Sequence, residues 1–245
     1  MWVLLALVCV LTVIAAVLAV ALVRGERREG AQSPTTTSAS PTPDHHRPVP
    51  VSALDGLLPD SGVVSAAMRE PDIGLVAHGD GIAADVAVDA DCQGVTGPAS
   101  RDYAGSGWTA VRWQVWNSPA ALEPPKLWKH VSVTVATYPQ ADAARSFYTS
   151  QSAAWRRCNL RIVNGRSANA TESPDSFWYV DKVSDSDGVL SATTANAQGN
   201  GWSCQNRLTV RNNVAVRVTV CGYGPPDAAV RTLVDTITRK VDAAS

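Results

Sequence analysis

Neither sign of charge is in excess in this sequence. Its 21 basic and 22 acidic residues leave a formal net charge of −1, and the basic residues form no long run. A protein that binds a polyanion normally carries a basic patch or stripe. We therefore expect no nucleic-acid partner.

Signatures of catalysis are also missing. The sequence contains no G-x-S-x-G elbow, no H-E-x-x-H pair and no phosphate-binding loop. His78 and His130 are the histidines of the region expected to fold, and spacing places no serine or cysteine nucleophile beside either. We expect no catalytic residue and no cofactor, and a hydrolase remains possible only if one of these histidines has a nucleophile next to it.

Closely spaced cysteines are absent too. Zinc sites usually need a C-x2-4-C pair, whereas the cysteines outside the N-terminal apolar run are Cys92, Cys158, Cys204 and Cys221. The adjacent histidines at 45 and 46 lack a third ligand. The sequence therefore predicts no metal site.

Residues 2–23 form an apolar run without a charged side chain. A helix of this length is roughly 33 Å long, enough to cross a hydrocarbon core of about 30 Å. The small residues at 19–21 resemble a signal-peptide cleavage site, but the run is too long and lacks a charged n-region. We predict a single transmembrane anchor over residues 1–23, with cleavage as the alternative.

Residues 24–50 are rich in proline, serine and threonine. Such a segment buries too little apolar surface to order itself, so we predict a flexible linker between the membrane and a domain over residues 51–245. The arginines at 24, 27 and 28 would place that domain in the cytoplasm by the positive-inside tendency. The cysteines indicate the opposite side.

Hydrophobic periodicity in the predicted domain indicates an α+β fold. Period-2 alternation marks strands at 108–116 and 130–138, and stripes at spacings of three and four mark long helices at 140–158 and 226–241. Shorter patterns predict helices at 52–58 and 60–68 and strands at 177–180 and 189–193. We expect a central antiparallel sheet with packed helices.

The strand at 108–116 has two contrasting faces. Val111, Trp113 and Val115 form the natural core face. The opposite face suits either a binding cleft or a surface covered by a helix, and these two interpretations stay open. Its members are the candidate ligand-binding residues Trp108, Arg112, Gln114 and Trp116.

The cysteines at 204 and 221 frame a predicted hairpin. If Asn212 and Asn213 are the two turn residues, Cys204 lies opposite Cys221 in a pair close enough for a disulfide. Cys92 then pairs with Cys158. The same register puts four valines, at 214, 216, 218 and 220, opposite the face of Leu208, so either both faces are covered or a bulge shifts the register. Two disulfides indicate an oxidising, extracytoplasmic compartment.

Several motifs resemble one known family. "DCQGVTG", "YAGSGWTAVRWQV" and "GWSCQNRLTVRNNVAVRVTVCGYGPPDAAV" occur in the order found in the extracellular sensor domain of the mycobacterial Ser/Thr protein kinase H, the PknH-like extracellular domain, and its stand-alone actinobacterial relatives. The resemblance implies an α+β domain with a central antiparallel sheet, two disulfides and a large cleft for an unidentified extracytoplasmic ligand. The kinase motifs and the lipobox of some relatives are not found in the sequence.

Anchor, linker, disulfides and resemblance together predict a membrane-anchored sensor of the cell envelope. We expect it to bind a small molecule, a lipid or a cell-wall component in a cleft, without its own kinase. The alternative is a module that docks onto another envelope protein.

Overall fold

The computed structural model describes residues 47–97, 100–123, 126–198, 201–224 and 227–245. They belong to one compact unit, His46–Ser245. The predicted anchor, Cys9, the histidines at 45 and 46 and the linker up to residue 46 lie outside the described residues. Within the described part of the chain, no helix is long and apolar enough to cross a bilayer.

The centre of the domain is one antiparallel sheet with the strand order β1-β2-β3-β8-β7-β6-β5-β4. Both strongly alternating segments and the hairpin form strands close to their predicted bounds. The strands are β1 Gly74–Gly79, β2 Ala110–Ser118, β3 Lys129–Thr137, β4 Ile162–Asn164, β5 Phe177–Ser186, β6 Val189–Asn196, β7 Trp202–Arg211 and β8 Val214–Tyr223.

Within the described residues, five α-helices pack around this sheet, which confirms the α+β class. They are α1 Leu54–Leu57, α2 Ser61–Met68, α3 Gln93–Thr96, α4 Ala141–Arg157 and α5 Asp227–Ala243. Short 3-10 turns occur at Val51–Ala53, Ala90–Cys92 and Arg101–Tyr103. The carboxylate of Asp60 caps α2 by accepting a hydrogen bond from the Val63 amide at 2.9 Å.

One side of the sheet, the first face, is covered by α5 together with α1 and α2. The apolar stripe of α5 is fully buried and includes Leu233 and Ile237. It packs in one cluster with alternate valines of β3 and β8. These are Val131, Val133, Val135, Val214, Val216, Val218 and Val220.

The other side, the second face, is only partly covered. Helix α4 buries Phe147 and Trp155 in a second cluster that includes Leu190 and Leu208 of the sheet. The Cys92–Cys158 disulfide joins the start of α3 to the end of α4, with a Cα–Cα distance of 5.7 Å. This face stays open toward β1, β2 and the ends of β7 and β8 that lie away from their hairpin turn.

The β7–β8 hairpin has the predicted register without a bulge. Arg211 pairs with Val214, and Cys204 pairs with Cys221, to which it is joined by the second disulfide. Both faces of β8 are buried, so the four valines need no register shift. At the turn, Asn212 has a positive φ of 49°.

Two strands and one boundary were not predicted. The edge strand β1 contains two glycines in six residues, and β4 is three residues long, so neither has a periodic pattern to detect. The domain also includes residues before 51, because Val49 is buried at 2% exposure and its amide donates to the Asn213 side chain.

Candidate functional site

The open part of the second face is a cleft with a polar floor. In β3 the valines point to the first face, and Ser132 and Thr134 therefore point to the second. Ser132 lies directly opposite Thr219 of β8, which lies opposite Asn206 of β7. The strand alternation thus lines up short polar side chains on the second face of the sheet.

Two cavities lie along this floor. The first has a volume of about 390 Å³ and is bounded by residues 79–83, Trp113, Val115 and Ser132. The second has a volume of about 220 Å³. Its lining consists of Thr96, Leu127, His130, Trp178, Thr194, Trp202, Cys204, Asn206, Thr219 and Cys221. Because Ser132 and Thr219 are register partners, the floors of the two cavities adjoin.

A chain of hydrogen bonds crosses the floor of the second cavity. The Thr219 hydroxyl donates to Asn206 Oδ1 at 2.8 Å. Asn206 Nδ2 in turn donates to the hydroxyl oxygen of Thr194 at 3.3 Å. Side-chain hydrogen bonds therefore link three strands, and the hydroxyl proton of Thr194 takes no part in these two bonds.

His130 lies at the edge of the same floor. Asn117 Nδ2 donates to the Ala121 carbonyl at 2.8 Å, which leaves Asn117 Oδ1 to accept from His130 Nδ1, also at 2.8 Å. His130 Nδ1 therefore carries the proton, and Nε2 is an acceptor. Burial lowers the pKa of His130 to about 4, because it disfavours the charged ring. The imidazole is neutral at neutral pH.

Aromatic side chains form the walls. Trp178 donates its indole N–H to Ser176 Oγ at 2.9 Å. Trp202 meets Tyr223 edge-on, with the ring centroids 5.2 Å apart. In the first cavity, Trp113 lies close against its register partner Gly79, where an added Cβ would approach the ring to 2.5 Å. Glycine at 79 is what allows this contact.

A buried polar cluster adjoins the floor beneath α4. Arg217 lies opposite Thr134, and its guanidinium reaches Asp102 at 3.3 Å with the side chains 2% and 10% exposed. Burial raises the pKa of Asp102, and the positive charge of Arg217 opposes that rise. Arg217 Nε and Nη2 and Trp155 Nε1 have no hydrogen-bond partner among the described residues. Because such groups are normally paired, the cluster has capacity for internal water.

The geometry does not assemble a nucleophile and base or a metal site in the described residues. His130 bonds to Asn117 rather than to a hydroxyl. His78 of β1 lies opposite Gln114 of β2. No group of three metal-ligating side chains occurs within the described ranges.

Of the four predicted ligand-binding residues, Arg112, Gln114 and Trp116 are neighbours on one face of β2, where Trp116 Nε1 donates to Gln114 Oε1 at 3.3 Å, and Trp108 lies apart from them. Trp116 is in the core of the first face with 4% exposure. Arg112 donates to Asp55 at 2.9 Å and, with Gln114, lines a cavity of about 520 Å³ that shares Gly79, Asp80 and Trp113 with the first cavity. Trp108 precedes β2 and packs on the second-face cluster. It is instead Trp113 and Val115, on the face predicted to be core, that line the cleft.

Comparison with known proteins identifies the domain. The family profile of the PknH-like extracellular domain matches residues 49–240. The chain belongs to the PknH-like extracellular domain family. The fold agrees, since the crystal structure of the extracellular domain of PknH from Mycobacterium tuberculosis superposes with a TM-score of 0.73 at 25% identity. That match covers 81% of this chain and 99% of the compared chain.

The curated relatives are much longer proteins. The serine/threonine-protein kinases PknH of Mycobacterium tuberculosis and Mycobacterium bovis are each 32% identical over 137 residues. This region is 54% of the present chain but 20% and 21%, respectively, of the two kinases. The chain thus matches about a fifth of the length of these relatives.

Within this PknH-like domain, the cleft residues were missed by sequence reasoning for an identifiable reason. Ser132, Thr134 and Thr219 alternate with valines, which indicates a strand with a polar side, and such a side normally faces solvent. What distinguishes β3 and β8 is their central position in the sheet. Knowing that requires the strand order.

Proposed function

We propose that this protein is an extracytoplasmic sensor domain that binds a ligand in the cleft of the second face and is held at the membrane by the predicted anchor. The observation that carries the proposal is the polar floor. Ser132, which lines the first cavity, has a buried hydroxyl without a partner among the described residues. Unpaired buried polar groups beside a cavity are a usual feature of ligand sites.

Family membership and disulfides support the extracytoplasmic placement. The family is defined by an extracellular domain, and two disulfides persist only in an oxidising compartment. The two adjoining cavities, about 390 and 220 Å³, together fall in the range of about 300–1,000 Å³ that ligand pockets occupy.

A panel of ligand classes tests this function. The full chain is incubated separately with neutral oligosaccharides, uronic-acid oligosaccharides, a tripeptide and phosphatidylglycerol, and binding is followed by the rise in thermal unfolding temperature. Thr96 and Thr193 are both partly exposed, but Thr96 lines the second cavity and Thr193 lies on the opposite sheet face. Thr96→Trp should abolish binding by filling the cavity, and Thr193→Trp should preserve it.

The outcomes are separable. A compound that stabilises the wild type and Thr193→Trp but not Thr96→Trp supports the cleft. No response to any class, or equal binding by both variants, would overturn the proposal.

Protein docking is the second candidate, favoured by an apolar patch on the uncovered end of the first face. Ile162 and Tyr179 are register partners on β4 and β5 with 63% and 37% exposure. Leu160 beside them is 60% exposed. A surface patch of this kind is typical of interaction sites. Cross-linking in intact cells should capture a stoichiometric protein through this patch, and Ile162→Asp should prevent capture if docking is the function.

A further inference from the structure

The lining of the second cavity is uncharged. Among the described residues, it combines two tryptophans, a leucine, a disulfide and neutral hydrogen-bonding side chains. A carboxylate, phosphate or ammonium placed there would lose its hydration without meeting an opposite charge, which is unfavourable. Lys126, near the rim, has its ammonium over the rings of Trp128 and Tyr223, at 4.4 and 5.7 Å. The composition favours a neutral ligand.

The floor also requires a polar ligand. Thr219, Asn206 and Thr194 each retain hydrogen-bonding capacity beyond the chain that links them. An acyl chain lying on this floor would leave that capacity unpaired and removed from water. A purely apolar ligand is therefore disfavoured.

The unused hydrogen-bonding capacity of this floor includes both donors and acceptors. The hydroxyl proton of Thr194 and the second amide proton of Asn206 are donors, and the lone pairs of Thr219 are acceptors. His130 adds a neutral acceptor at Nε2, because its proton is on Nδ1, which donates a hydrogen bond to Asn117 Oδ1. A carboxylate can only accept and an ammonium can only donate, whereas a hydroxyl group does both.

The walls suit the ring of such a ligand. Trp178 is held by its bond to Ser176, and Trp202 by its edge contact with Tyr223. The face of an indole ring is electronegative and attracts the polarised C–H groups on the flat side of a sugar. At about 220 Å³ the second cavity suits one ring-sized unit, and the adjoining cavity of about 390 Å³ leaves room for further units.

We propose that the second cavity binds a neutral saccharide, with a sugar ring against Trp178 and hydroxyls on the Thr194, Asn206 and Thr219 row. This inference rests on the proposed ligand-binding function of the cleft and specifies its ligand class. It goes beyond the sequence prediction, which left small molecule, lipid and cell-wall component open.

Calorimetric titration tests the class directly. The full chain, in a detergent without a sugar headgroup, is titrated at pH 7 with maltotriose, cellotriose and tri-N-acetylchitotriose, and with trigalacturonate as the charged trisaccharide of the same length. At least one neutral trisaccharide should bind with a dissociation constant ten-fold or more below that of trigalacturonate.

Variants locate the binding. Thr219→Val preserves the side-chain shape and removes the hydroxyl, and should weaken the neutral trisaccharide at least ten-fold. Thr193→Val is the same change at a position on β6 that faces the other side of the sheet, and it should leave the dissociation constant unchanged. Trp178→Ala is a second cleft variant should Thr219→Val fold poorly, and it should also weaken binding at least ten-fold.

Failure of this inference differs from failure of the cleft. If trigalacturonate, the tripeptide or the lipid binds and Thr96→Trp blocks it, the cleft function stands and the saccharide assignment is wrong. If a neutral trisaccharide binds equally well to the wild type, Thr219→Val and Trp178→Ala, its site is elsewhere and the inference is overturned.

Discussion

Asn213 illustrates how a single buried side chain organises the start of the domain. Its Oδ1 accepts from the Val49 amide at 2.8 Å, and its Nδ2 donates to the carbonyls of Val49 and Tyr138 at 3.2 and 2.8 Å. Its neighbour Asn212 donates to the Arg47 carbonyl. The sequence suggested a turn role for both asparagines, but the distant chain segments they hold were not visible in it.

Asn213→Ala should therefore destabilise the domain. It removes three hydrogen bonds and leaves buried backbone groups unpaired, for an expected loss of about 3 kcal/mol in the free energy of unfolding. Chemical denaturation measures the loss. Asn212→Gly, which retains a positive φ at the turn, is the control and should cost less than half as much.

His130 makes a pH-dependent contribution. Its pKa is about 4 in the folded protein and about 6.5 in an unfolded chain. Between these values the unfolded chain binds a proton that the folded protein does not, so the free energy of unfolding falls as the pH is lowered from 6.5 toward 4. The carboxyls of Asp91 and Asp185 have lowered pKa values, so their effect on the free energy of unfolding changes at lower pH than that of His130.

The measurement compares wild type with His130→Gln at pH 7 and pH 5. Wild type should lose about 1–2 kcal/mol more stability over this interval than the variant. Equal losses would show that His130 does not titrate in this way.

Among the elements, the β1–β2 pair shapes the first cavity through a glycine. Gly79 lies across from Trp113, and the indole occupies the space that a side chain at 79 would need. Sequence periodicity did not detect β1, because a short glycine-containing edge strand lacks alternation.

Gly79→Ala should displace the Trp113 ring and cost about 1–3 kcal/mol by overpacking. Gly56→Ala in α1 is the matched control, since nothing lies within 4 Å of its added Cβ, and it should be neutral or stabilising by up to about 1 kcal/mol. Thermal unfolding of both variants checks the contrast. Similar effects at the two positions would contradict the close contact at Gly79.

For the whole molecule, the two disulfides constrain the chain unequally. Cys92–Cys158 closes a separation of 66 residues between the segment before β2 and the end of α4. Cys204–Cys221 closes 17 residues inside a hairpin that its own ladder already pairs. The longer connection therefore constrains the unfolded chain more.

Replacing Cys92 and Cys158 with alanine should cost about 4 kcal/mol, and replacing Cys204 and Cys221 about 3 kcal/mol or less. Denaturant titration of the two double variants under non-reducing conditions gives both values. A larger loss from the hairpin pair would contradict this order.

Local patterns in the sequence determined much of this protein. Apolar stripes define α4 and α5 because a helix side must be buried to be stable. The Asn-Asn turn determined the hairpin register, and through it the Cys204–Cys221 pair, because opposite residues in a hairpin follow from its turn alone.

The tertiary structure alone decided which sides of the sheet are closed and where the cleft lies. Both sides of β2 contribute to the core, through Val111 on one side and Trp116 on the other, and Trp113, on the predicted core side, also lines a cavity. Alternation separates the two sides of a strand but does not say which side a distant helix will cover. That choice depends on where α4 and α5 pack, and so on contacts between residues far apart in the chain.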